Sequence, residues 1–441
     1  MRAREIRSLF QGRISEAQDA GREYRDGCHA FLRDWNEALG LNPTSMGGQD
    51  TYLTEEFRPV FGEGRFHPNE VPISALAEAV MGHDFVREFY SHGAGFDFSS
   101  NRLSEAAIDP TAFLNISLFN LSVAGLVNAR ILEAFTKPQY IGKDMVTTVP
   151  TNMNGHKIIG TTGINPQTSA AKNRAPGASH ASVQFGEAWQ TTPETVEQAL
   201  KIEVTREAVF FEQASGEVMR QADTVGDELA YGQEKDICDT VIGVTASYNR
   251  SGTAYNTYQT SSPYINDHSN PFTDETDVDD ARALLLGMTD PDTGREIDVT
   301  IATILCSPYK ELTFREQIFG STVQLSTQLS SEVAQRIKLT QSAINQVAKG
   351  TLQLMPLTQI WHNRMVAADG LNLSAANAKA YWWWGDTKRA FEWHENWPLT
   401  PWQAAATEMV MKDRGLIAVH GANYRGVAYT REPRYIIRNK N

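Results

Sequence analysis

His394-Glu395 opens the HExxH spacing, in which two histidines one helical turn apart hold zinc and the glutamate acts as general base, but Pro398 stands where the second histidine belongs. That zinc motif fails. Gly62-Glu63-Gly64 and Gly93-Ala94-Gly95 lack the third glycine of a dinucleotide loop, and neither GxSxG nor GxxxxGK occurs. Asp290-Pro291-Asp292-Thr293-Gly294 begins like a calcium loop, yet its glycine comes one place early and Ile301 fills the twelfth position, where a bidentate glutamate is required. A plain turn is expected there. Trp382-Trp383-Trp384 could stack on a sugar, but a contiguous run on a strand alternates between faces, so core on one side and contact surface on the other is favoured. Cys28, Cys238 and Cys306 are odd in number, far apart and without CxxC, which fits buried thiols in a reducing compartment. The ten histidines are scattered. No catalytic, cofactor or metal set emerges, and a non-enzymatic protein is the expectation.

Length and charge narrow the classes further. A chain of 441 residues can bury two or three sizeable cores, and 41% hydrophobic with 21% charged residues is ordinary for a folded protein. A net charge of −13 disfavours gripping phosphate backbones, so any nucleic acid nearby is enclosed and not held. No run approaches eighteen apolar residues, and MRAREIRSLF lacks a secretory h-region, so neither a membrane span nor a leader is expected.

The elements that must position any functional residue centre on 205–242. Phe210, Ala214, Val218, Ala222, Val225, Leu229, Ile237 and Val241 recur at steps of three and four, Thr205 is placed to cap the start, Gly243 marks the end, and no proline intervenes. A helix of that span would reach about 55 Å and should lie across a sheet. Residues 1–39 mix Arg with Glu and Asp around Ile6, Leu9, Phe10, Phe31, Leu32 and Trp35, which predicts amphipathic helix on the surface or against a partner. Gly and Pro break up 41–110 around one short apolar helix near 73–90. Asp109-Pro110 opens a helix through about Phe135, and Lys137-Pro138 stops it.

Residues 145–204 are mostly polar, with strand-like ends and a turn-forming middle, Lys172-Asn173-Arg174-Ala175-Pro176-Gly177. A hairpin of that size has little core of its own, so a neighbour is expected to support it. Lys172 and Arg174 at the tip, and Trp189 on the returning limb, are candidate contacts. Beyond the long helix come a Tyr/Ser/Thr/Asn-rich loop, a helix near 277–288, a buried strand at 299–305, a Ser/Gln-rich stretch at 321–349, and strand-like runs at 416–420 and 426–430. Helix and strand alternate in this lobe.

Several separated segments carry a family likeness. The YWWWGDTKRAFEWHENWPL stretch at 381–399 with its strand-rich tail, the helix from Thr205 entered from a long polar loop, and IATILCSPYKELTFREQIF at 301–319 together resemble, in order over 145–441, the major capsid proteins of tailed phages. The resemblance implies an α+β chain of the Hong Kong 97-type capsid fold. Its blocks would be an N-terminal arm or scaffold-like extension (1–110), a helix leading into the peripheral domain (111–144), an extended hairpin loop (145–204), a spine helix (205–243), an axial domain and return (244–400), and C-terminal strands of the peripheral domain (401–441). It further implies self-assembly through pentamers and hexamers into an icosahedral virion shell around double-stranded DNA, built in the host cytoplasm, with portal, scaffold, maturation protease or decoration proteins as partners. Lys172, Arg174, Trp189 and Trp383 would then be intersubunit contacts. Some relatives join a loop lysine to a neighbour's asparagine; Lys172 would make either that bond or an ion pair. An encapsulin-type cellular shell shares the implied fold but usually lacks a long N-terminal extension, and an enzyme with an unrecognised site is the remaining alternative. At Thr400-Pro401-Trp402-Gln403 local chemistry spells a helix start, whereas the family pattern puts strand near 402–412. Strand is the expectation.

Overall fold

The computed structural model describes residues 3–21, 24–38, 76, 79–80, 110–159, 176, 189–205, 214–244, 248–289, 296–297, 299, 302–319, 323–324, 338–339, 352–405 and 416–440. The chain is a mixture of helices and sheets and divides into two compact units: Met1–Lys137, Glu197–Gly232 and Trp397–Arg425 in the first, Pro138–Val196, Gln233–Asn396 and Gly426–Asn441 in the second. Residues 401–425 fall in one unit and 426–441 in the other.

In the first unit, α1 (Ala3–Asp19) and α2 (Tyr24–Ala38) replace the single helix expected over 1–39. Gly21 sits between them at φ 68, a conformation glycine adopts without steric penalty. Their apolar residues close on each other and on α3 (Pro110–Phe135): Phe10 meets Phe31 edge-on at 5.3 Å, Phe31 stacks on Trp35 at 5.7 Å, and the Trp35 indole donates to the Ser122 carbonyl at 3.2 Å. Helix α3 spans the expected residues, because Pro110 pre-sets the first turn and Leu126, Val127, Ala129 and Ile131 are buried. Beside it runs the first part of α4 (Ala214–Ile242), 29 residues and about 43 Å long, with Val218, Met219, Ala222, Val225 and Leu229 buried. The two helices approach so closely that a Cβ at Gly226 would stand 2.3 Å from the Ile131 carbonyl. Arg130 of α3 and Lys137, two residues past its end, pair with Asp223, and Lys137 also with Asp227.

The start of the long helix differs from expectation. Thr205 is the last residue of strand β4 (Val196–Thr205), so it is not the helix cap, and Phe210 lies outside the described residues. Gly243 ends the helix at φ 81, with the Val244 amide donating back to Asp239.

Two further strands are shared by both units, β13 (Phe391–Ala405) and β14 (Leu416–Thr430). The first carries Thr400, Pro401, Trp402 and Gln403 in extended conformation, as the family pattern implied, so pairing overrides the helix-start signals. The second joins the two expected runs at 416–420 and 426–430 into one strand of 15 residues.

The second unit holds β1 (Thr147–Pro150), parallel to the start of β13 with Thr147 opposite Glu392. An antiparallel sheet of order β2-β3-β5-β6 uses Lys157–Ile159, Trp189–Thr191, Tyr248–Arg250 and Thr253–Tyr255. A five-stranded sheet of order β11-β8-β12-β15-β7 uses Leu352–Pro356, Ala302–Cys306, Trp382–Gly385, Ile436–Lys440 and Asp267–Ser269. Short β9 (Val323–Gln324) and β10 (Lys338–Leu339) pair with each other. Helix α5 (Glu275–Leu286), capped by Asp274 and Asp277, comes two residues earlier than expected, and α6 (Gln359–Val366) follows β11. After β8, Pro308 leads into a helical segment at Glu311–Phe319, where Phe314 stacks on Phe272 at 3.6 Å. All three described cysteines are buried and unbridged.

Candidate functional site

Of the residues expected at a subunit contact, Trp189 lies on β3, which pairs with β2 to form a hairpin stem in the second unit. That stem is well built. Lys157 pairs with Thr191, Ile158 with Gln190, and Ile159 with Trp189, and Lys157 Nζ lies over the Trp189 ring at 5.3 Å. The buried Gln190 amide donates to the Thr430 and Arg431 carbonyls at 2.8 and 2.9 Å, tying the returning limb to β14. Below the stem, the Asn154 side chain accepts from the Thr195 amide and hydroxyl, and the His156 and Thr192 backbones are joined at 3.0 Å. The described pairing ends at Ile159 and Trp189. Lys172 and Arg174, which fall between the two strands in sequence, lie outside the described residues.

Next to the stem, His156 stacks parallel to His394 of β13 at 5.7 Å. His394 approaches Glu392 at 3.3 Å, Tyr429 donates a short hydrogen bond to the same carboxylate, and Arg431 lies 3.8 Å from it. Burial alone would raise the Glu392 carboxyl, but His394, Tyr429 and Arg431 hold it below the usual carboxylate range. Burial, with the neighbouring His394 and Arg431, lowers His156. This cluster was missed from sequence, although two residues apart on a strand places Glu392 and His394 on one face, a signal HExxH reasoning passes over.

A second buried carboxylate fixes the segment entering β1. Glu234 on α4 accepts from the Ile141 and Gly142 amides at 3.2 and 2.7 Å and from the Trp361 indole at 2.5 Å, and burial raises its pKa. One turn on, Asp239 takes a two-pronged hydrogen bond from the buried Arg364 at 2.8 Å on each arm. These carboxylates are occupied in holding chain segments together. Among the described residues no group of His, Cys, Asp and Glu is arranged to hold a metal ion.

Trp189 is half-buried on β3, with Lys157 over its ring. Trp383 is a correction. With β8 on one side and β15 on the other, Trp382, Trp383 and Trp384 are all buried, so the run does not alternate core with contact surface and Trp383 presents no face to a neighbour. A central strand covered on both faces buries consecutive side chains.

No family model matches this chain, and no curated protein matches it. Among solved structures it is similar to the capsid of an empty GTA particle, at 12% identity over 69% of this chain and 90% of that chain with a TM-score of 0.38. It is similar to the mature capsid of bacteriophage PhiM1 at 12% identity, 68% and 86% coverage and a TM-score of 0.39. A virus-like particle from Pyrococcus furiosus matches at 8% identity, 71% and 97% coverage and a TM-score of 0.37.

Proposed function

We propose that the chain is a major capsid protein, a structural subunit that assembles with copies of itself into the closed shell of a tailed phage or prophage around double-stranded DNA. The carrying observation is the hairpin stem at 157–159 and 189–191, anchored through Gln190, with a mostly polar sequence between its two strands; a hairpin of that length has little core of its own. The long helix, the strand-proline-helix after β8 and the tryptophan strand follow in the order the family likeness requires. In this reading 160–188 laps a neighbouring subunit, with Lys172, Arg174 and Trp189 at the contact, and portal, scaffold, protease and decoration proteins are partners of the assembled head. Assembly takes place in the host cytoplasm, and the shell performs no catalysis.

Negative-stain imaging and sedimentation of the full chain, alone and with phage head partners, test the proposal. Rings of five and six subunits or closed shells with large interfaces are expected. A stable monomer at high concentration in every buffer and with every co-expressed partner would overturn it.

A further inference from the structure

His156 stands where three segments of the second unit meet. It precedes β2 on the outgoing limb of the hairpin. The buried Thr192 hydroxyl, on the returning limb, accepts from the His156 amide at 2.9 Å and donates to the His156 carbonyl at 3.2 Å, and the His156 ring lies parallel to that of His394 on β13. The charges around the two rings are unequal. His394 has the Glu392 carboxylate beside it on β13, with Tyr429 of β14 meeting its ring edge-on at 4.5 Å and Arg431 beyond the carboxylate. The neighbouring Glu395, on the alternate side of β13, is paired with Lys143 at 3.1 Å; Lys157 lies over Trp189, and Glu194, against Gly155, is exposed. A proton on His394 therefore has a carboxylate to face. One on His156 has none: among the described residues its Nδ1 meets the uncharged Thr192 hydroxyl at 3.3 Å, and the charged groups acting on it, His394 and Arg431, are both cationic.

We propose that His156 and His394 form an acid-released latch at the base of the hairpin, closed while at most one ring is charged and opened when a second proton sets two cations face to face beside Arg431. Like charges held together away from bulk water repel strongly, and separating the rings is the way to relieve them. Burial, His394 and Arg431 hold the His156 pKa below 6.5 in the closed stem, so the opened limb takes up a proton that the closed one refuses. Opening therefore becomes easier as pH falls through 6.5 and is indifferent to pH above it. The release is local, because Gln190 still ties the returning limb to the Thr430 and Arg431 carbonyls. The latch does not rest on the capsid reading, since every group in it belongs to one subunit.

Hydrogen exchange of the full-length protein, read as protection factors at pH 8 and pH 5, tests the latch. Relative to the amides of α4, which report any general loss of stability, those at 156–159 and 189–192 should lose about three-fold or more of their protection at pH 5. His156→Gln, which cannot take up the proton, should abolish this relative change, and His394→Gln, which removes one of the two cations, should reduce it. A ratio that does not move with pH, or that moves equally in the native protein and in His156→Gln, overturns the latch. Should His156→Gln fail to fold, titration of the histidine ring signals decides. A ring that titrates below pH 6.5 in the native protein and moves up in His394→Gln supports the latch. The absence of such a ring overturns it, whether or not the protein forms shells.

Discussion

Two buried groups bend stability with pH in opposite directions. His420, in β14, is 2% exposed and neither ring nitrogen has a partner, and burial lowers its pKa from 6.5 to about 4. Between those values the unfolded chain takes up a proton that the folded chain refuses, so stability falls as pH drops from about 6.5 toward 4, by on the order of 3 kcal/mol. Asp236, on α4, behaves inversely: burial first, then Asp239, raises its pKa from 3.8 to about 6. The folded chain keeps that proton longer, so stability falls as pH rises from about 4 to 6 and the loss is complete above it. Denaturant unfolding at pH 5 and pH 8 checks both. His420→Phe should remove most of the acid-side loss and leave pH 8 nearly unchanged. Asp236→Asn should gain about 1–2 kcal/mol at pH 8, the figure being discounted because the side chain is half-buried, and little near pH 4. Unaltered pH profiles in both variants would contradict these assignments. Neither residue stood out in the sequence, since partnerless burial of a histidine depends on what the sheet folds against it.

At the scale of elements, Gly226 decides how closely α3 and α4 pack. Replacing a mid-helix glycine with alanine ordinarily stabilises a helix by up to about 1 kcal/mol. Here the added methyl would meet the Ile131 carbonyl at 2.3 Å and the Ala134 methyl at 2.7 Å, one of them backbone that cannot swing aside. Overpacking of this kind costs about 1–3 kcal/mol, so Gly226→Ala should be net destabilising, while at the unobstructed Gly12 of α1 the same change should stabilise. Thermal unfolding of the two variants gives shifts of opposite sign if this is right. Such close approach is invisible in a single sequence, whereas much of the rest is legible. Pro110 and Gly243 mark helix limits through fixed φ and left-handed φ respectively, and α3 and the end of α4 fall where those residues put them. The misreadings share one cause. Thr205 and Thr400 carry cap chemistry but are strand residues, because strand pairing outweighs about a kcal/mol of capping. Trp383 was expected to lie on a two-faced strand, and only the sheet order puts it at the centre, covered on both faces. Of the candidate contacts, Trp189 is half-buried on β3, while Lys172 and Arg174 lie outside the described residues.

The N-terminal residues settle what kind of element the chain begins with. Under the proposed capsid reading their charge pattern would suit a solvated segment that faces the shell interior and guides assembly. In the folded first unit the apolar side of that pattern is already occupied: Phe10, Phe31, Leu32 and Trp35 are each 6% exposed or less, packed between α1, α2 and α3. At about 1.5–3 kcal/mol for each fully buried large side chain, these four alone represent an upper bound near 6–12 kcal/mol, comparable to the whole stability of a typical domain. Removing residues 1–39 should therefore unfold or aggregate the subunit before it can misdirect a shell. Trp35→Ala, which leaves the segment in place, should cost about 3–5 kcal/mol and lower the unfolding temperature of the unassembled protein. A change confined to the charged face, such as Arg33→Gln, should leave that temperature within about a degree while remaining free to alter shell size or yield. Imaging and thermal unfolding of the three proteins separate the roles. Were the 1–39 deletion to stay soluble with an unchanged unfolding temperature and a changed shell diameter, the segment would be a detachable guide, and the packing seen against α3 would contribute nothing to holding the subunit together.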